Sequence, residues 1–255
     1  MATDLTVSEH LDGLREALLA FVRYADRAGS TATVPTCPDW TVHQLIAHQG
    51  MVHRWARATL LGEEVDPDAI ERDGLAASDP IDWLRAGAAE LIKTLVDTPD
   101  DAGALVFLND APPARAFWCR RQCHETTIHA VDALSAALGR YPSAADTWIT
   151  REVALDGIDE LLAGFLTRRK SRVRSEEPMS VAVLPTDASH SWLVEISDQP
   201  PVTTRRDHQE RAEVNLVGPA VSLYLALWNR SNGADLDESG DLLDRWRSLA
   251  TITWS

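Results

Sequence analysis

The chain has 255 residues, 45% of them hydrophobic and 25% charged, a balance that suits a soluble globular protein of one large domain or two ordinary ones. Thirty-nine acidic against 24 basic side chains leave a formal net charge of −15, which disfavours nucleic acid and anionic membrane as partners. No window approaches the length of an uninterrupted apolar span, and Asp4, Glu9 and His10 break up the start, so neither a membrane helix nor a signal peptide is expected.

In chain order, helical periodicity comes first. One helix is predicted over Leu5–Ala28, with Leu11, Leu14, Leu18, Phe21 and Val22 as its apolar stripe. The turn-rich string "VPTCPDW" reads as a loop, and a second helix follows over Thr41–Leu61 with Asp39 as its N-cap. A third is predicted over Ile81–Val96. After the loop "LNDAPPA", a fourth covers Ala114–Leu138, and a fifth runs over Ala144–Thr167. The charged stretch "RRKSRVRSEEP" then marks the expected domain boundary, giving a helical bundle over 1–170 and a small α+β domain over 171–255. In the second part, "VAVLP", "SWLVEI", "VTTR" and "AEVNLVG" read as strands. "PAVSLYLALWNR" and "LLDRWRSL" read as helices, with a loop and a short strand expected between them. The fold class is α+β overall.

Two helices concentrate histidine. In the second, Leu45, His48, Val52, Trp55 and Thr59 share one face, so His48 points into the bundle, while His53 is turned about 140° away and His43 lies near the exposed helix start. In the fourth, "RQCHETTIHAVD" puts Glu125 and His129 one turn apart, in a stripe with Trp118, Gln122 and Asp132. His124 is rotated off that stripe. Glu125, His129 and His48 thus read either as three ligands of a divalent metal such as zinc, or as a surface pair and a hydrogen-bonded core histidine. Asp132 reads either as a partner of His129 or as a solvated carboxylate at the bundle end. Trp40 and Trp55 are the expected walls beside His48. Three cysteines are too few for a disulfide framework and fit a reducing cytoplasm; Cys119 and Cys123, four apart on one helix, leave open a metal pair or two partly buried thiols.

The strings "CPDWTVHQLIAH" and "HETTIHAVDAL" together resemble the mycothiol-dependent maleylpyruvate isomerase family, a branch of the DinB-like metal-binding bundles. "VNLVGPAVSLYLALWNR" and "ESGD" resemble that family's C-terminal module, whose fold is related to sterol carrier proteins. The resemblance implies a DinB-like four-helix bundle with an extra helix. It implies His48, Glu125 and His129 as metal ligands and Arg230 as a holder of anionic substrate, although this chain reads N-R where the family commonly has G-R. It also implies mycothiol as a cofactor beside a divalent metal, zinc above all. The implied chemistry is addition of a metal-activated thiolate to an unsaturated or electrophilic small molecule, ending in isomerisation or in S-transfer, with metal-activated hydrolysis as a third outcome. The alternative is a non-catalytic, metal-stabilised bundle that binds a ligand or a partner protein. The sequence leaves the oligomeric state open.

Overall fold

The structure, a computed structural model, describes residues 5–250, which divide into two compact units. One comprises Thr6–Phe107 and Pro112–Pro142; the other comprises Leu108–Ala111 and the chain from Ser143 onward, with Leu5.

The first unit contains α1 (Val7–Ala28), a hairpin of β1 (Thr33–Val34) and β2 (Cys37–Thr41), α2 (Val42–Leu61), α3 (Pro67–Leu75), α4 (Pro80–Asp97) and α5 (Ala114–Leu138). Helix α1 lies along α5, α2 lies along α4, and α2 also meets α5, so the four long helices form the bundle. The extra helix is the short α3, which packs on α2. It is not the predicted 144–167 segment.

The string "VPTCPDW" forms the β1–β2 hairpin instead of a plain loop, and Asp39 is exposed within β2. The cap of α2 is Thr41. Its hydroxyl accepts from the Gln44 N–H while Gln44 Oε1 accepts from the Thr41 N–H, a reciprocal box that satisfies two helix-end donors at once. Thr6 and Glu9 make the same arrangement at the start of α1. Gly50 lets α2 close against α4, because a Cβ there would collide with the Trp83 ring.

Helix α5 occupies the centre. Every residue from Phe117 to Ser135 is buried, including Arg120, Arg121, Gln122, His124, Glu125, His129 and Asp132. A helix buried on all sides must find partners for its polar groups inside the protein. The candidate site grows out of that requirement.

In the second unit, the predicted helix over 144–167 is divided. A 3-10 turn at Ala144–Asp146 is followed by α6 (Arg151–Asp159), which Thr150 caps, and α6 runs on into a π-helical segment at Glu160–Phe165. The wider winding leaves carbonyls free, and the Thr203 hydroxyl donates to that of Leu162 at 2.6 Å. The continuous part of this unit starts at Ser143, ahead of the charged stretch near residue 170, and α6 packs on a later helix of the unit, α7 (Ala220–Leu227).

Strands β3 (Met179–Pro185), β4 (Ser191–Ile196), β5 (Val202–Arg206), β6 (Val214–Gly218) and β7 (Asp237–Glu238) form a sheet ordered β5-β4-β3-β6-β7. Only the β3–β6 pairing is parallel. Helix α8 (Leu242–Leu249) closes the described chain. Buried Asp159 ties α6 to the sheet, accepting from Trp192 Nε1 at 2.9 Å and from Arg205 Nε and Nη2 at 2.6 and 2.9 Å. The fold is α+β overall, and no described helix is long and apolar enough to cross a membrane.

Candidate metal centre

Helical facing brings Glu125 and His129 to one side of α5, opposite His48 on α2. One ligand atom from each of the three residues lies within 4.8 Å of the others. The two imidazole rings are 5.2 Å apart between centroids, at 75°.

The α5 side is held by a chain of polar contacts. Asp132, fully buried, places Oδ2 2.9 Å from His129 Nδ1, which turns His129 Nε2 towards Glu125 Oε1 at 3.3 Å. Glu125 Oε2 accepts from Arg121 Nη2 at 2.9 Å, and Arg121 is itself fully buried. Glu125 Oε1 has no hydrogen-bond partner among the described residues. At 3.3 Å it attracts His129 as a charge, but the ring N–H direction does not make a hydrogen bond.

That orphaned oxygen is the place where the arrangement can be tested for fit to a metal. A tetrahedral zinc ion with ligands at about 2.0–2.1 Å keeps neighbouring ligand atoms roughly 3.3 Å apart, the separation of Glu125 Oε1 from His129 Nε2. A buried acceptor without a donor costs roughly 1–3 kcal/mol, and a divalent ion held by His48, Glu125 and His129 would remove that cost. The residues present fit such an ion.

Without it, the two imidazoles differ sharply. Burial depresses the pKa of His129, but the Asp132 hydrogen bond and the adjacent Glu125 carboxylate outweigh it and raise the value to about 9. Burial pushes Glu125 up, yet His129 and Arg121 outweigh it and hold the carboxyl at about 2. His48 is pushed down to about 4 by burial and by the neighbouring His129 charge. It is therefore neutral near pH 7, and Glu71 Oε1, 3.7 Å from its Nδ1, is a polar neighbour and not an ion pair.

Trp40 stands at the site as expected, its ring centroid 4.8 Å from His48 and 6.1 Å from His129, nearly parallel to the latter. Trp55 belongs elsewhere, in an aromatic cluster with Phe107 and Trp118. His53 is fully buried beside the triad, with Nε2 2.8 Å from Gln49 Nε2 and 3.0 Å from Thr126 Oγ1; burial pushes its pKa down to about 3. His124 is buried with its ring edge-on to His10, and His43 is half-buried. Cys119 and Cys123 are buried thiols outside any disulfide, and burial raises Cys119 to about 11.

Arg230 follows α7 in the other unit, half-buried, with Nη1 donating to the Trp228 carbonyl at 2.8 Å. Sequence reasoning missed Arg121, although its place four residues before Glu125 on the same helix face was readable. It also missed Thr36, whose hydroxyl donates to Asp132 Oδ1 at 2.6 Å. No local pattern could have found that contact, which spans 96 positions of sequence.

Fold and site together define a helical bundle with a candidate three-ligand metal centre, joined in one chain to an α+β unit. Comparison with protein families gives that class a lineage. Residues 11–134 match the mycothiol maleylpyruvate isomerase N-terminal domain, and residues 152–245 match the C-terminal domain of the same family. The two matches cover most of the chain, which belongs to the mycothiol maleylpyruvate isomerase-like family. A search of curated proteins returns no match.

Proposed function

We propose that this protein is a metal- and thiol-dependent enzyme that adds a thiolate to an unsaturated or electrophilic small molecule, with isomerisation or S-transfer as the outcome. Its metal ligands in this reading are His48, Glu125 and His129. One observation carries it: an unsatisfied, buried carboxylate oxygen faces two imidazoles at metal-ligand spacing. Membership of a mycothiol-linked family supports mycothiol as the thiol in this reading.

A bound divalent ion such as zinc would lower the pKa of a coordinated thiol and make thiolate available near neutral pH. The residues around it set the charge that makes this favourable. Glu125 and Asp132 are anionic, Arg121 is cationic, and both imidazoles must be neutral to ligate. With a divalent ion that set carries one positive charge, which a single anionic ligand neutralises. Asp132 keeps the His129 proton on Nδ1, so Nε2 is the nitrogen left for coordination. Trp40 gives the site an aromatic wall on the side of both rings. Glu125 is occupied as a ligand in this scheme and is no candidate for the general acid or base. Arg230 is proposed to hold the anionic end of the substrate, a role in which Arg230→Ala raises KM more than it lowers kcat.

The test is turnover of cis-unsaturated acids by the metal-loaded protein, with and without mycothiol. Thiol-dependent turnover is the expected result. Bound metal with no thiol-dependent turnover on such acids, or on other electrophiles, would sink the enzymatic reading and favour a metal-stabilised binding protein.

A further inference from the structure

Thr36 has no part in the chemistry above, yet it is buried against it. Its hydroxyl donates to Asp132 Oδ1 at 2.6 Å. Ser135 Oγ lies 2.9 Å from the same hydroxyl and donates to the Asp132 carbonyl at 2.7 Å. The other carboxylate oxygen, Oδ2, is 2.9 Å from His129 Nδ1. A continuous chain of hydrogen bonds therefore runs from the tip of the β1–β2 hairpin to a proposed metal ligand.

The terminal torsion of an aspartate is broad, so one hydrogen bond leaves the carboxylate plane free to swing. Anchoring both oxygens stops it. With Oδ1 fixed by Thr36, Oδ2 stays on Nδ1, and the imidazole keeps both its tautomer and its orientation. Four residues further on, the same hairpin sets Trp40 against the His48 and His129 rings. One short hairpin thus touches the site twice, by a hydrogen bond and by an aromatic face.

We infer that the β1–β2 hairpin is a working part of the metal centre, with Thr36 as a positioning residue that holds His129 on target through Asp132. The inference rests on the metal reading of His48, Glu125 and His129. Because linkage is reciprocal, whatever the ordered hairpin adds to metal affinity, bound metal returns as order in the hairpin.

The experiment is a competition titration of Zn(II) and Co(II) against a chromophoric chelator, with the full chain and its Thr36→Val and Thr36→Ser variants. Valine keeps the shape and removes the hydroxyl. Thr36→Val is expected to bind metal about 10–100-fold more weakly, the range for partners outside the ligand set, and to show an altered Co(II) visible spectrum. Thr36→Ser is expected to restore both. Wild-type affinity and spectrum in Thr36→Val would overturn the inference, as would a Thr36→Ser variant as weak as the valine one. If Thr36→Val fails to fold, hydrogen exchange on the wild type decides. Metal is expected to slow the amides of residues 33–41 more than those of α4, and no such difference overturns the inference. A wild type that binds no metal removes the metal reading and the inference together; a wild type that binds while Thr36→Val binds equally removes the inference alone.

Discussion

The two sides of the candidate metal centre hold their imidazoles by different means. On α5, His129 sits in a network of hydrogen bonds and charges, with Asp132, Glu125, Arg121 and Thr36 in contact with it or with one another. On α2, His48 meets a carboxylate at 3.7 Å, an indole face and the edge of the His129 ring, and its place is set by how α2 packs on its neighbours. The electrostatic result is opposite on the two sides. His129 is raised to about 9 and His48 lowered to about 4. Without metal, the proton on His129 supplies the positive charge that Glu125 and Asp132 demand; in the proposed metal-bound form the ion would supply it. In the proposed metal centre, the polar side is thus where metal and proton would compete, whereas the packed side would hold no proton near pH 7.

The largest expected effect comes from removing the centre of the polar side. Glu125→Ala takes away a proposed metal ligand and removes the carboxylate that faces the buried Arg121 guanidinium and His129 imidazole. We expect loss of measurable metal binding and a destabilisation of the metal-free protein of about 3–5 kcal/mol, read by denaturant titration. His48→Ala should also lose the metal while leaving the metal-free stability much less changed. Equal destabilisation by both variants would break the contrast between the two sides.

Next comes pH. At pH 7 the His129 proton must leave when metal binds, whereas His48 is already neutral and gives none up. Metal affinity should therefore climb about tenfold per pH unit from 7 until it levels near 9, with release of about one proton at pH 7. Calorimetry in buffers of different ionisation enthalpy checks this. The metal-free protein should show the reverse trend. A histidine raised from 6.5 to about 9 adds stability that is complete below pH 6.5 and lost as pH rises through 9, so the stabilisation conferred by metal should widen over that window.

Asp132→Asn is a milder probe of the polar side. Metal affinity should fall about 10–100-fold, and the pH at which it levels should move down, because the charge that raises His129 is gone. The smallest effect is expected on the packed side. Gly50→Ala pushes against Trp83 and shifts α2, and should cost about 1–3 kcal/mol of stability with a lesser loss of metal affinity. An affinity loss larger than that of Asp132→Asn would show that packing, and not the polar network, controls the site.

Sequence periodicity served the long helices best. Helix α5 has its predicted bounds, Ala114–Leu138, because the proline pair of "LNDAPPA" and Gly139 interrupt the helical pattern at its two ends. The facing of His48, Glu125 and His129 could be read off helical spacing. Short elements escaped. Helix α3 has nine residues and buries only Gly74, so no apolar stripe announces it. In the hairpin, prolines and polar residues look like turn signals, and β1 is only two residues long. The helix expected over 144–167 is broken where Thr150 caps α6 and the winding widens at Glu160, a change that periodicity does not register. Asp132 was readable as a carboxylate near His129, but its burial and its bond to Thr36 are products of tertiary packing.

The central claim is tested most directly by elemental analysis of the purified 255-residue chain, side by side with His48→Ala. The account predicts about one equivalent of a divalent transition metal in the wild type and essentially none in the variant, at a pH above 7 where His129 can yield its proton. A wild type that carries no metal and takes up none on addition of zinc at pH 8–9 would contradict it.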